Sequence, residues 1–204
     1  MTDHVAATPT ATPLRTPPSQ HLTRHPRPTM TFTSTNPATG ETDTTWPDTT
    51  PDEVEATLAS AQRAFLAWRD RPLAERTAPL RSLGRLLRER RNDLGALMTA
   101  EMGKPITQAV GEVEKCAWVC DYYAEHAAVQ LASVHADTEA TTSYWAPRPL
   151  GVILGIMPWN FPFWQVVRFA APTLTAGNAA VLKHAPSVPG CALALVDLAD
   201  EAGY

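Results

Sequence analysis

An α/β fold built on a parallel sheet with crossover helices is what this sequence predicts, and three observations carry the expectation. Residues 151–157 and 179–183 are short runs of β-branched and apolar side chains, the composition of buried strands. Each run is followed by a stretch with helical spacing, residues 163–174 and 188–202, so the second half reads strand, helix, strand, helix. Parallel strands need a connection long enough to cross the sheet, which the intervening helix supplies. The third observation is bulk: 204 residues with 44% hydrophobic content suffice for a core.

Residues 1–29 are crowded with Pro and Thr and almost free of large apolar side chains. They cannot bury enough surface to offset the entropy of ordering and are expected to form a disordered extension. Its prolines argue against the amphipathic helix of a transit peptide, although Arg15, Arg24 and Arg27 supply the charge. Met30 opens the first segment that reads as folded and is a candidate start.

Helical periodicity begins at Thr50, which with Glu53 has capping-box spacing and is followed by Pro51 at the first helical position. Val54, Leu58, Ala61, Phe65 and Trp68 then fall on one stripe, expected to be buried. A second helix from about Ala74 places Leu80, Leu83, Leu86 and Leu87 inside and Arg85, Arg88, Arg90 and Arg91 on a solvated face. Leu94, Leu97 and Met98 continue the pattern until Gly103 and Pro105 end it. The long helix from Pro105 is expected to bury Ile106, Val110, Val113, Ala117, Cys120 and Ala124. Residues 141–145 read as a strand joined through Pro147-Arg148-Pro149 to the next, and Gly177-Asn178 as a turn. A sheet of two parallel strands would leave an edge uncovered, so the chain is expected to be incomplete and, alone, prone to aggregate.

Composition excludes several classes of function. A net charge of -4 with 19% charged residues lacks the basic excess of a nucleic-acid binder, and no apolar run approaches the length of a membrane helix. The odd number of cysteines, Cys116, Cys120 and Cys191, suits a reducing compartment, and a cytoplasmic location is expected. Cys116 and Cys120 stand four apart, but two ligands without further His or Cys at useful spacing do not make a metal site. All three read as core, and no metal is expected.

In an open parallel sheet, ligands sit beyond the carboxyl ends of strands. Those positions hold Pro158-Trp159-Asn160-Phe161-Pro162 and Lys183-His184-Ala185-Pro186. The Gly-x-Gly-x-x-Gly fingerprint is absent after the first strand, so a dinucleotide would have to be gripped differently. Arg168 is the one charge in the apolar stretch 163–174, costly to bury unless something anionic meets it.

Residues 151–160 (GVILGIMPWN), Phe161-Pro162 and Leu182-Lys183 resemble the cofactor and oxyanion segments of the aldehyde dehydrogenase superfamily. Residues 36–41 (NPATGE) and 101–105 (EMGKP) are similar to two further stretches of it. Within the superfamily, residues 101–106, 123–126, 157–162 and 183–186 look most like NAD(P)-dependent succinate-semialdehyde dehydrogenases. The resemblance implies a Rossmann-like cofactor domain, of which residues 30–204 would be the N-terminal part, with residues 138–150 contributing to an oligomerisation hairpin and the catalytic domain absent. It implies oxidation of a small-molecule aldehyde, succinic semialdehyde, to the carboxylic acid with NAD or NADP, and a homo-oligomer for a full-length form.

Residue by residue, the resemblance assigns Asn160 to oxyanion stabilisation, which a neutral fixed donor performs well; a turn before Pro162 is the competing explanation. Ile156, Met157, Pro158, Trp159, Lys183, Ala185 and Pro186 match cofactor-contacting positions, with Lys183 toward the ribose, although Ile156 and Met157 equally suit a core. Pro186 stands where many NAD-preferring relatives have a glutamate, so a 2′-phosphate should be tolerated. Phe161, Gln165 and Arg168 match the substrate tunnel, Arg168 holding the far carboxylate in place of a plain surface or structural role. The family's nucleophilic cysteine and water-activating glutamate match no position here and are expected beyond Tyr204. The alternatives are a non-enzymatic truncated remnant, or an interaction module that pairs with a full-length homologue through residues 141–145.

Overall fold

The computed structural model describes residues 31–204; the extension and the start at Met30 lie outside the described residues. Two strands open them, β1 (Thr31–Thr35) and β2 (Thr42–Pro47), paired antiparallel with a shift in register between Ser34 and Thr35. The turn between them is held by the Asn36 side chain, whose Oδ1 accepts from the Ala38 amide at 2.9 Å, and by Gly40 at φ 75°. This hairpin is not legible in the sequence, because Thr-rich, half-exposed strands lack a clean apolar alternation. Asn-Pro-Ala-Thr-Gly was the available turn signal.

Four helices follow. α1 (Pro51–Trp68) starts with the expected capping box, the Thr50 hydroxyl accepting from the Glu53 amide while the Glu53 carboxylate accepts from the Thr50 amide. Its stripe is buried only at Phe65 and half-buried at Ala61 and Trp68; Val54 and Leu58 are exposed. The periodicity identified residues sharing a face, but the covered positions of α1, which packs on β6 and β5, all lie in its C-terminal half.

α2 (Leu73–Glu89) and α3 (Arg91–Met102) pack on α4 (Ile106–Gln130), burying Leu80, Leu86, Leu87, Met98, Val113, Cys116 and Cys120. Ile106 is exposed at the first turn of α4 and Val110 is half-buried, contrary to the expectation for both. The outward arginines find acids: Arg85 with Glu89, Arg88 with Asp121, Arg90 with Glu201 and Arg91 with Glu114. Gly103, at φ 74°, ends α3 in the left-handed conformation that suits glycine.

Two short strands, β3 (Val134–His135) and β4 (Tyr144–Trp145), then pair antiparallel. β4 is the C-terminal part of the strand expected over 141–145; β3 was not anticipated. Beyond them β5 (Val152–Ile156) and β6 (Ala179–Lys183) pair in parallel, with Val152 opposite Ala179 and Ile156 opposite Lys183. The crossover is α5 (Trp164–Thr175), and α6 (Pro189–Ala202) follows β6, as predicted.

Buried Asn178 fixes the entry to both parallel strands. Its Oδ1 accepts from the amides of Leu150 (2.6 Å) and Gly151 (3.1 Å), and its Nδ2 donates to the Thr173 carbonyl (3.1 Å). Carbonyls at the end of α5 are satisfied from α1 and α2, the Trp68 indole donating to Leu174 and Arg76 to Thr175.

Candidate functional site at the ends of the parallel strands

The parallel register brings the carboxyl ends of β5 and β6 side by side, with Ile156 opposite Lys183 and the Met157 amide donating to the Lys183 carbonyl at 3.0 Å. The two predicted segments are therefore adjacent. Ile156 is 68% exposed and Trp159 54%, so neither belongs to the core. Met157 is half-buried against it, Pro158 and Pro186 are exposed, and Ala185 is buried. Lys183 and Asn160 are exposed at this edge. An ammonium beside open apolar surface is a donor set that fits a nucleotide, offering a cation to ribose and phosphate oxygens and a ledge to flat rings.

Two buried carboxylates, for which sequence reading gave no role, hold the loops in place. Glu112 on α4 points inward, where its Oε1 accepts from the amides of Phe163 (3.0 Å) and Trp164 (2.9 Å), capping α5. Its other oxygen meets the buried ammonium of Lys104, which also lies 3.9 Å from the ring centroid of Phe161. Glu101 does the same for α6, accepting from Gly190 (2.7 Å) and Cys191 (2.8 Å). Gly190 permits this approach, since a Cβ there would stand 2.9 Å from the carboxylate. Glu112 shares the buried stripe of Ala109, Val113 and Cys116, and a carboxylate at helical spacing among apolar residues was the legible sign of an internal partner.

His184 joins the loops to one another. It donates from Nε2 to the Pro162 carbonyl at 2.9 Å and accepts at Nδ1 from the Ala185 amide at 2.7 Å, a pattern that requires the neutral ring. Burial lowers its pKa below the ordinary value, with the Pro162 hydrogen bond acting in the opposite direction.

Arg168 does not sit in an apolar interior. It is exposed, one turn beyond Trp164 on α5, and donates to the Gln165 side chain at 2.9 Å. The premise that its burial demands an anion is thus corrected: the flanking apolar residues Val166, Val167 and Ala171 turn inward and leave Arg168 on the opposite face. Gln165 is half-buried and Phe161 exposed, so all three predicted substrate residues remain near one another at the start of α5.

None of the chain's three cysteines is poised to attack a ligand. Cys116, Cys120 and Cys191 are fully buried. Burial pushes each thiol up, aided by Glu112 for Cys116, by Asp121 for Cys120, which reaches about 12, and by Glu101 for Cys191. Among the described residues no group of three or more His, Cys, Asp or Glu is arranged to hold a metal, and no helix is long and apolar enough to cross a membrane.

The family model described as "Aldehyde dehydrogenase family" matches residues 25–204. A probable NADP(+)-dependent succinate-semialdehyde dehydrogenase of Synechocystis is 50% identical over 175 residues, covering 86% of this chain and 38% of that protein. The NAD(P)+ succinate semialdehyde dehydrogenase Sad of Escherichia coli K12 is 45% identical over 170 residues, 83% of this chain and 37% of its own length. The crystal structure of succinic semialdehyde dehydrogenase from Streptococcus pyogenes in complex with NADP+ superposes with a TM-score of 0.82 at 37% identity, over 85% of this chain and 38% of that one. The chain thus spans less than two fifths of the length of these relatives.

Proposed function

The chain belongs to the aldehyde dehydrogenase family, and from that premise we propose that it forms the cofactor-gripping and oxyanion-stabilising part of an enzyme that oxidises succinic semialdehyde to the carboxylic acid. The observation that carries this reading is the pairing of Ile156 with Lys183, which puts the Asn160 loop and the Lys183 loop on one edge. Bound NADP+ or NAD+ supplies the hydride acceptor. Lys183 binds the ribose side of that nucleotide, while Ile156, Met157, Pro158, Trp159, Ala185 and Pro186 give it backbone and apolar contacts. With proline and no carboxylate at position 186, nothing at that residue repels a 2′-phosphate, and NADP+ is accepted. The names of the Synechocystis and Streptococcus proteins support that choice.

Asn160 donates from its side-chain amide to the aldehyde oxygen as that oxygen gains negative charge. Phe161 and Gln165 wall the approach, and Arg168 takes the far carboxylate through its planar fork. The nucleophile and the water-activating base are supplied by residues other than the three buried cysteines of this chain. Residues 30–204 make up part of the cofactor domain. The hairpin β3–β4, with Tyr144 and Trp145 exposed, contributes to contacts between copies in a longer form.

Kinetics with two aldehydes test the substrate assignment. In an active protein carrying these residues, Arg168→Leu should raise KM for succinic semialdehyde about 10-fold or more and leave an uncharged aldehyde of similar length nearly unaffected. Equal losses on both would show that Arg168 supports the fold and does not select the substrate.

A further inference from the structure

We propose that Lys115 is a second specificity-determining cation, gripping the far carboxylate of the substrate together with Arg168; the proposal rests on the reading of Arg168 given above. Lys115 stands on the exposed face of α4, and its Nζ lies 4.0 Å from the ring centroid of Trp164, the first residue of α5. Arg168 is one turn further along α5, and residues four apart on a helix are neighbours on its surface. Trp164 thus carries the ammonium on its ring, and the residue one turn further along the same helix carries the guanidinium. The ring's negative face attracts the ammonium and restrains a side chain that otherwise has many rotamers. Gln165 restrains the guanidinium in the same way, through its 2.9 Å hydrogen bond.

The two acids beside Lys115 on α4 are engaged elsewhere. Glu112, one turn before Lys115, is turned inward and occupied by Lys104 and the α5 amides, and Glu114 faces Arg91. Among the described residues, neither Lys115 nor Arg168 takes part in an ion pair. Gly111, one turn before Lys115, presents no side chain, and a Cβ there would meet nothing within 4 Å, so α4 is open beside Lys115. Two cations outside any ion pair, carried on and one turn beyond Trp164, favour an anion that can meet both. A terminal carboxylate of a short aldehyde has the charge and size to do so, and an uncharged chain end does not.

Succinate, which carries the substrate's carboxylate and is not oxidised, is the probe. It is titrated into the 204-residue chain at low ionic strength, following tryptophan fluorescence, with Trp164→Phe identifying the responding indole. Circular dichroism checks that each variant keeps its fold. The expected result is saturable binding, weakened about 5-fold or more by Lys115→Met, restored by Lys115→Arg, and unchanged by Arg63→Met on α1. Butanamide, of similar length and uncharged, should give no response. If Lys115→Met binds succinate as tightly as the unaltered chain while Arg168→Leu does not, Lys115 has no part in the grip and the assignment of Arg168 survives. If both variants bind unchanged, the two assignments fall together. A chain that gives no succinate response at all contradicts a grip preformed on α4 and α5.

Discussion

The His184 imidazole reaches from the end of β6 to the Pro162 carbonyl, 2.9 Å away, and fastens the Lys183 loop to the Asn160 loop. One side chain thereby couples the orientation of the proposed ribose-binding lysine to that of the proposed oxyanion donor. The coupling requires a neutral ring, because a protonated Nδ1 cannot accept from the Ala185 amide.

A pH dependence follows from this requirement. Burial depresses the His184 pKa below its ordinary 6.5, so as pH falls past that value the unfolded chain takes up a proton that the folded chain resists. The stability contributed by His184 is complete above about pH 6.5 and is lost as pH falls from there through the folded value. Thermal unfolding followed by circular dichroism should show a larger drop between pH 7.5 and 5.5 in the unaltered chain than in His184→Gln. Parallel curves would contradict a neutral, buried role.

The buried pair of Lys104 and Glu112 makes a second expectation. Glu112→Ala removes both capping hydrogen bonds at the start of α5 and strands an ammonium in the interior, at a cost of about 3–5 kcal/mol. Lys104→Met combined with Glu112→Gln should cost clearly less than the sum of the single changes, since the acid and the base then leave together. Denaturant midpoints of the four proteins measure this, and strict additivity would show that the two groups do not interact.

The three thiols should behave as core. In the folded chain Cys116, Cys120 and Cys191 should resist alkylation by iodoacetamide at pH 8 and react fully in guanidinium, as read by mass spectrometry. The chain by itself should also form no NADPH from succinic semialdehyde. Rapid modification of one thiol, or turnover abolished by its replacement, would identify a nucleophile that the structure hides.

Much of this architecture was legible in the sequence because periodicity reports directly on local structure. The capping box at Thr50, the left-handed stop at Gly103, and the β5–α5–β6–α6 order all follow from neighbouring residues. What was not legible depends on partners distant in the chain. Val54 and Leu58 have the spacing of a buried stripe, but both are exposed. Arg168 lies among apolar neighbours in sequence, yet the helix turns them inward and leaves it exposed. Glu101 and Glu112 stand in or near recognisable segments, but their capping of α6 and α5 joins residues 89 to 90 and 51 to 52 positions apart, which no local pattern encodes.

The paired ends of β5 and β6 form the proposed grip on the nucleotide. The most direct test is calorimetric titration of the 204-residue chain with NADP+, alongside Lys183→Ala. The expected result is saturable binding that Lys183→Ala weakens about 10-fold, equivalent to about 1.4 kcal/mol. Binding that is absent from the folded chain, or that is indifferent to Lys183, would contradict it.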